Sequence, residues 1–183
     1  MTKLVSTKYL SDLLTDANLR TNELINGLNN EQLMGPQLPI VNPLLWEIGH
    51  VAWFYEQFIL RMLYEEVPIL ANGDDLYDSI DIEHFDRWDL PILQLNGTKK
   101  YIDDIRNKLI DRLGEISLTN LASEKDSFIY QFATFHEDMH TEAYTYSRNT
   151  LGYPLPDFAT AHSVNKNELE SGPLYGDAEI PGG

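Results

Sequence analysis

The chain has 183 residues, 43% hydrophobic and 11% aromatic, which fits a single globular domain with a substantial core. Its 29 acidic residues outnumber 13 basic ones, and a net charge of −16 argues against nucleic acid and membrane surfaces as partners. With no cysteine there can be no disulfide, thiolate ligand or cysteine nucleophile. Met1 to Leu10 lacks the apolar segment of a secretory signal and no apolar run approaches membrane-spanning length, so a cytoplasmic location is expected.

Helical periodicity organises the chain into four long segments. Ser6 or Thr7 can cap the first, which carries Tyr9, Leu10, Leu13, Leu14, Ala17, Leu24 and Ile25 at helical spacing and stops near Gly27. Asn29 to Gln32 adds a short turn. Asn42-Pro43 reads as an N-cap followed by proline at the first helical position, opening a second helix over about Pro43–Tyr64. That helix is apolar on nearly every side and is expected at the centre of the fold. Glu65 to Asn96 loses the period and reads as a long ordered loop with one short helix, a kind of loop that often carries function. Thr98 opens the third helix, which runs to about Leu113. Ser123, with Asp126 three residues on, opens the fourth, which Gly152 and Pro154 end. The expected fold is an all-α four-helix bundle with a long loop between helices two and three. It occupies residues 1–154, and an irregular tail follows over 155–183.

The fourth helix contains QFATFHEDMHTEAYTY, in which His136 and His140 stand one turn apart and can reach a single metal ion. On a helical wheel they share an arc with Ile129, Phe132, Ala133, Met139 and Ala143, so the pair is expected to face the core. Two buried histidines satisfied by hydrogen bonds would produce the same pattern. His50, on the second helix, shares its face with Trp46, Trp53, Phe54 and Gln57 and is a candidate third ligand. Three imidazoles would leave coordination positions open for substrate, as catalytic metals require. Imidazole alone suits iron, zinc, copper or nickel. HEDMH also matches the HExxH pattern of zinc proteases, but a third ligand upstream on another helix is not the protease arrangement. Outside that reading Glu137 is a solvated helix residue or a partner that orients a ligand. His84 and His162 read as polar loop residues. Trp46, Trp53 and Trp88 could line a cavity for a cation, although core packing explains the first two equally well.

Four ordered stretches resemble one family: NPLLWEIGHVAWFYEQFILR, DRWDLP at Asp86–Pro91, FHEDMHTEAYTYSRNTLGYPLP and the terminal GDAEIPGG. They are similar to the ergothioneine-type sulfoxide synthases, non-haem iron enzymes that join a DinB-like four-helix domain to a formylglycine-generating-enzyme-like domain. The resemblance implies that His50, His136 and His140 ligate Fe(2+). It implies a reaction in which dioxygen drives carbon–sulfur bond formation between a thiol and a histidine betaine, at a site between the two domains. It further implies that Arg87 grips the carboxylate of the thiol substrate, and that GDAEIPGG leads toward a second domain, met in cis or in trans. An ion pair between Arg87 and Asp86 or Asp89 is the other reading of that residue. This chain carries Met139 where many members have glutamine, and Asp89 where some have a second basic residue, which leaves the thiol open. Two further readings stand beside this one. The chain could be a stand-alone DinB-like transferase or hydrolase using Zn(2+) or Ni(2+), or a metal-free helical binding module.

Overall fold

The computed structural model describes residues 4–116 and 121–158, and these form helices linked by short turns and one long connection. Helix α1 (Thr7–Ile25) begins where the Ser6 hydroxyl accepts a hydrogen bond from the Tyr9 amide, and it buries Leu10, Leu14, Ala17, Thr21 and Leu24 along one stripe. A single turn, α2 (Asn30–Met34), follows, with Asn29 and Gln32 forming a reciprocal capping box. Helix α3 (Leu44–Tyr55) has all twelve residues buried, as its unbroken apolar character predicts. It continues through a π-helical segment (Glu56–Arg61), in which the Met62 amide donates to the Gln57 carbonyl. Two short pieces interrupt the long connection: α4 (Gly73–Tyr77) and a 3-10 turn (His84–Trp88). Helices α5 (Leu95–Glu115) and α6 (Glu124–Thr150) complete the set.

The four long helices form a ring. α1 packs against α5 and α6, and so does α3, which leaves α1 and α3 on opposite corners. Among the described residues there is no strand, only an isolated bridge between Ser6 and Leu121, and no helix is long and apolar enough to cross a membrane. The expected all-α bundle is therefore present.

Several local expectations need correction. Asn42 does not cap α3. The cap position is Pro43, and the Asn42 side chain is taken up by Glu47 and Arg87. Thr98 does not open α5, whose cap position is Gln94; its hydroxyl donates to the Leu93 and Gln94 carbonyls one turn back. The long connection holds two short helical pieces rather than one. Ser123 does cap α6, accepting from the Asp126 amide, and Gly152 leaves the helix at φ 66°, a left-handed conformation that glycine adopts at no steric cost.

The close approach of α3 and α4 depends on Gly49. A Cβ at this position would overlap the ring of Tyr77, which is fully buried and accepts a hydrogen bond from the Leu93 amide through its hydroxyl. Gly49→Ala is expected to destabilise the fold by roughly 1–3 kcal/mol through overpacking. A denaturant midpoint equal to that of the unmodified chain would show that α4 moves aside freely.

Candidate metal centre

Three imidazoles meet where α3 and α6 pack together. The Nε2 atoms of His50 and His136 are 3.3 Å apart, as are those of His140 and His136. All three rings offer a nitrogen within 4.8 Å of the others. Nitrogens bound to one ion at about 2.0–2.1 Å would be separated by roughly 2.9–3.4 Å, so this spacing suits a shared cation. The His50 Nδ1–H donates to the Tyr77 carbonyl at 2.8 Å, which leaves the Nε2 lone pair directed at the cluster. One proton shared among three converging nitrogens can satisfy one contact at most, whereas a cation satisfies all three. The donor set fits a metal.

The surroundings hold the His50 and His136 rings neutral. His50 stacks on Trp46, with centroids 5.0 Å apart, and lies 5.7 Å from the Trp53 ring. His136 stacks on Phe54 at 3.6 Å. Burial, followed by the positive charge of neighbouring groups, lowers His50 to about 3 and His136 to about 2. Neutral imidazole is the form that binds a metal.

The long connection is fastened against this end of the bundle. Asp74 accepts from the Trp53 indole at 2.7 Å and from Arg61 through both carboxylate oxygens, at 2.5 and 2.9 Å. The Arg61 hydrogen bonds, ahead of the indole, hold the Asp74 carboxyl below the usual range. Trp46 donates to the Leu76 carbonyl at 2.8 Å. The 3-10 turn is tied down by Trp88, which donates to the Met34 and Gly35 carbonyls, and by His84, whose Nε2 donates to the Leu38 carbonyl. His84 and Trp88 thus have structural partners, and His162 lies outside the described residues.

Arg87, carried by that turn, makes no ion pair with Asp86 or Asp89. Its guanidinium lies 4.0 Å over the Trp46 ring and donates to Asn42 Oδ1 at 2.8 Å, while its buried Nε has no partner. The indole of Trp46 therefore touches both Arg87 and His50. Desolvation lowers the Arg87 pKa, and the negative charge of Glu47 opposes the shift.

Two expectations about α6 are overturned. Glu137 is neither solvated nor a neighbour of the cluster nitrogens. It is fully buried, forms an ion pair with Arg106 of α5, and accepts from Thr21 of α1 at 2.6 Å and from Tyr55 of α3 at 2.8 Å. Phe132 and Met139 do not face the core: they are 43% and 55% exposed, in a stripe with Phe128, Phe135 and Tyr146. The helix is rotated so that Tyr130, Ala133, Glu137 and Tyr144 face inward. This leaves His140 buried and His136 half-buried, at the border between the core and the apolar stripe.

A bundle whose facing helices bring three imidazoles to one point has the architecture of a mononuclear metal protein. The DinB superfamily matches residues 13–143, and the chain belongs to that superfamily. It is also 26% identical over 157 residues to the hercynine oxygenase of Mycolicibacterium smegmatis, covering 84% of this chain and 35% of that protein. Its similarity to the hercynine oxygenase of Mycobacterium tuberculosis is again 26%, over 155 residues, or 83% of this chain and 35% of the relative. The chain spans about a third of the length of these relatives.

Acid should destabilise the metal-free protein through the cluster. Both histidines titrate near 6.5 when unfolded but at about 3 and about 2 when folded, so the folded chain binds fewer protons between these values. Stability present above pH 6.5 is therefore lost as pH falls toward 3, by up to about 1.4 kcal/mol per pH unit for each histidine. The urea midpoint of the metal-free chain should drop between pH 7 and pH 5, and His136→Leu should make that drop shallower. Equal drops in the two proteins would assign the acid sensitivity to other groups.

Proposed function

We propose that this chain is the iron-binding portion of an ergothioneine-type sulfoxide synthase, akin to the hercynine oxygenases it resembles. The observation that carries the reading is the triad of His50, His136 and His140, gathered on facing helices and half-open on one side. When bound, iron(II) would supply the activation of dioxygen that oxidative carbon–sulfur bond formation requires. The chain's own residues have distinct tasks. Tyr77 holds His50 in one tautomer through its carbonyl. Trp46, Trp53 and Phe54 exclude water from the His50 and His136 rings and keep these two unprotonated. Arg87 offers a planar cation for the carboxylate of the thiol substrate, on a surface whose overall charge of −16 would otherwise repel it.

The partner in this reading is the formylglycine-generating-enzyme-like domain, in cis or in trans. Its proposed landing face is the exposed stripe of Phe128, Phe132, Phe135, Met139 and Tyr146, which borders His136. Beyond Tyr146 the stripe enters a groove of about 740 Å3 bounded by Glu142, Arg148, Tyr153, Leu155 and Phe158, where the chain leaves α6. A domain seated there would close the open side of the triad over a thiol and a histidine betaine.

The competing reading is a stand-alone metal-dependent thiol transferase or hydrolase, since the same open triad would accept zinc or nickel. Metal analysis and turnover of the isolated chain separate the two. The chain is expected to bind one equivalent of iron(II), to lose it in His136→Ala, and to make no sulfoxide from a thiol and a histidine betaine under dioxygen. Multiple turnovers by the chain alone would favour a self-sufficient enzyme.

The role of Arg87 is tested in the two-domain protein. Arg87→Met should weaken apparent thiol affinity by about ten- to a hundredfold, the worth of one charge-assisted contact, and leave betaine affinity nearly unchanged. Equal losses for both substrates would reduce Arg87 to a structural partner of Asn42 and Trp46.

A further inference from the structure

Glu47 lies in the first turn of α3, three residues before His50, and is 1% exposed. Its two oxygens differ in their surroundings. Oε1 accepts from the Asn42 amide at 2.8 Å. Among the described residues Oε2 has no hydrogen-bond donor; it lies 3.5 Å from Nδ1 of His140, a buried atom that likewise has no hydrogen-bond partner there. A buried carboxylate needs positive charge or donors around it, and among the described residues no lysine or arginine forms an ion pair with this one. Arg87 is linked to it through Asn42, donating to the Oδ1 of the same residue whose amide donates to Glu47.

We propose that Glu47 is the positioning residue of the metal centre, holding the His140 ring through Nδ1 so that Nε2 is presented to the ion. The inference rests on the metal-binding reading given above and deepens it. A proton on Nδ1 facing Oε2 leaves the Nε2 lone pair for the cluster, the tautomer that His50 already shows with the Tyr77 carbonyl. A cation on the three Nε2 atoms would draw His140 Nδ1–H toward the carboxylate and offset its buried charge. Through Asn42 the same carboxylate sets the place of Arg87. The group that orients a ligand therefore also positions the cation assigned to the thiol. The sequence pattern WEIGH conceals this role, because Glu47 reads there as an ordinary first-turn acid that favours the helix dipole.

The test uses the full chain with Co2+ as the probe, reading affinity by competition and ligand geometry by visible absorption. Glu47→Gln keeps the size of the side chain and its link to Asn42 but removes the charge. It should bind Co2+ about ten- to a hundredfold more weakly and shift the ligand-field bands, with the metal-free helical content retained. On a His140→Ala background the same change should cost little more, since its route to the metal is gone. Wild-type affinity and spectrum in Glu47→Gln would overturn the proposal, as would a full additional loss on the His140→Ala background. Should Glu47→Gln fail to fold, Asn42→Ala frees the other carboxylate oxygen and should shift the same bands, and an unchanged spectrum there would overturn it equally. A wild-type chain that binds no Co2+ would instead remove the metal reading itself.

Discussion

Much of this fold turns on a carboxylate at the meeting point of four helices. Glu137 of α6 receives Arg106 from α5, Thr21 from α1 and Tyr55 from α3, all deep in the core. Arg106 is itself steadied by Asn18 of α1. Breaking such a buried pair by removing one partner typically costs about 3–5 kcal/mol, because the remaining charge stays desolvated. The network therefore admits one rotation of α6 and penalises the others. That rotation places His136 and His140, on either side of Glu137 in sequence, at the margin of the core facing His50.

A second set of contacts brings α3 into the same arrangement. The connection after α3 is pinned by Asp74, by the Leu76 carbonyl on Trp46 and by the Tyr77 carbonyl on His50. Gly49 lets the Tyr77 ring lie directly on the helix. Within the π-helical segment, the fully buried Glu56 accepts from Tyr101 of α5 and from the Ile69 amide, which anchors the start of the connection. A long segment without regular periodicity is thus tied to the bundle by hydrogen bonds to side chains of α3 and its π-helical extension. It orients one histidine through the Tyr77 carbonyl and carries Arg87.

The site is asymmetric in polarity. On one side lie indole and phenyl rings and the backbone carbonyl that fixes His50. On another lies the polar line from Arg87 through Asn42 and Glu47 toward His140. The open side, by His136, is bordered by apolar residues exposed beyond what an isolated helix face needs. Under the proposed function, a partner domain would cover the apolar residues beside His136 while small polar substrates enter beneath it.

The sequence by itself determined the helical periods, the caps at Ser6 and Ser123 and the spacing of His136 and His140, because each depends on residues within one or two turns. It also brought out His50 as a third candidate, since an imidazole on an apolar helix face is conspicuous. It could not set the rotation of α6, whose apolar residues nearly encircle the helix. The helical wheel puts Phe132 and Met139 on the same arc as the histidines, yet they form the exposed stripe. Nor could it show that Glu137 and Glu47 are buried, since a carboxylate enters a core only when donors from other helices meet it there. Asn42 has the sequence context of a helix cap, yet its side chain bridges Glu47 and Arg87, donating to one and accepting from the other. These outcomes belong to the tertiary structure, because partners far apart in sequence decide whether a buried charge or polar group can be tolerated, and only the packed bundle brings them together.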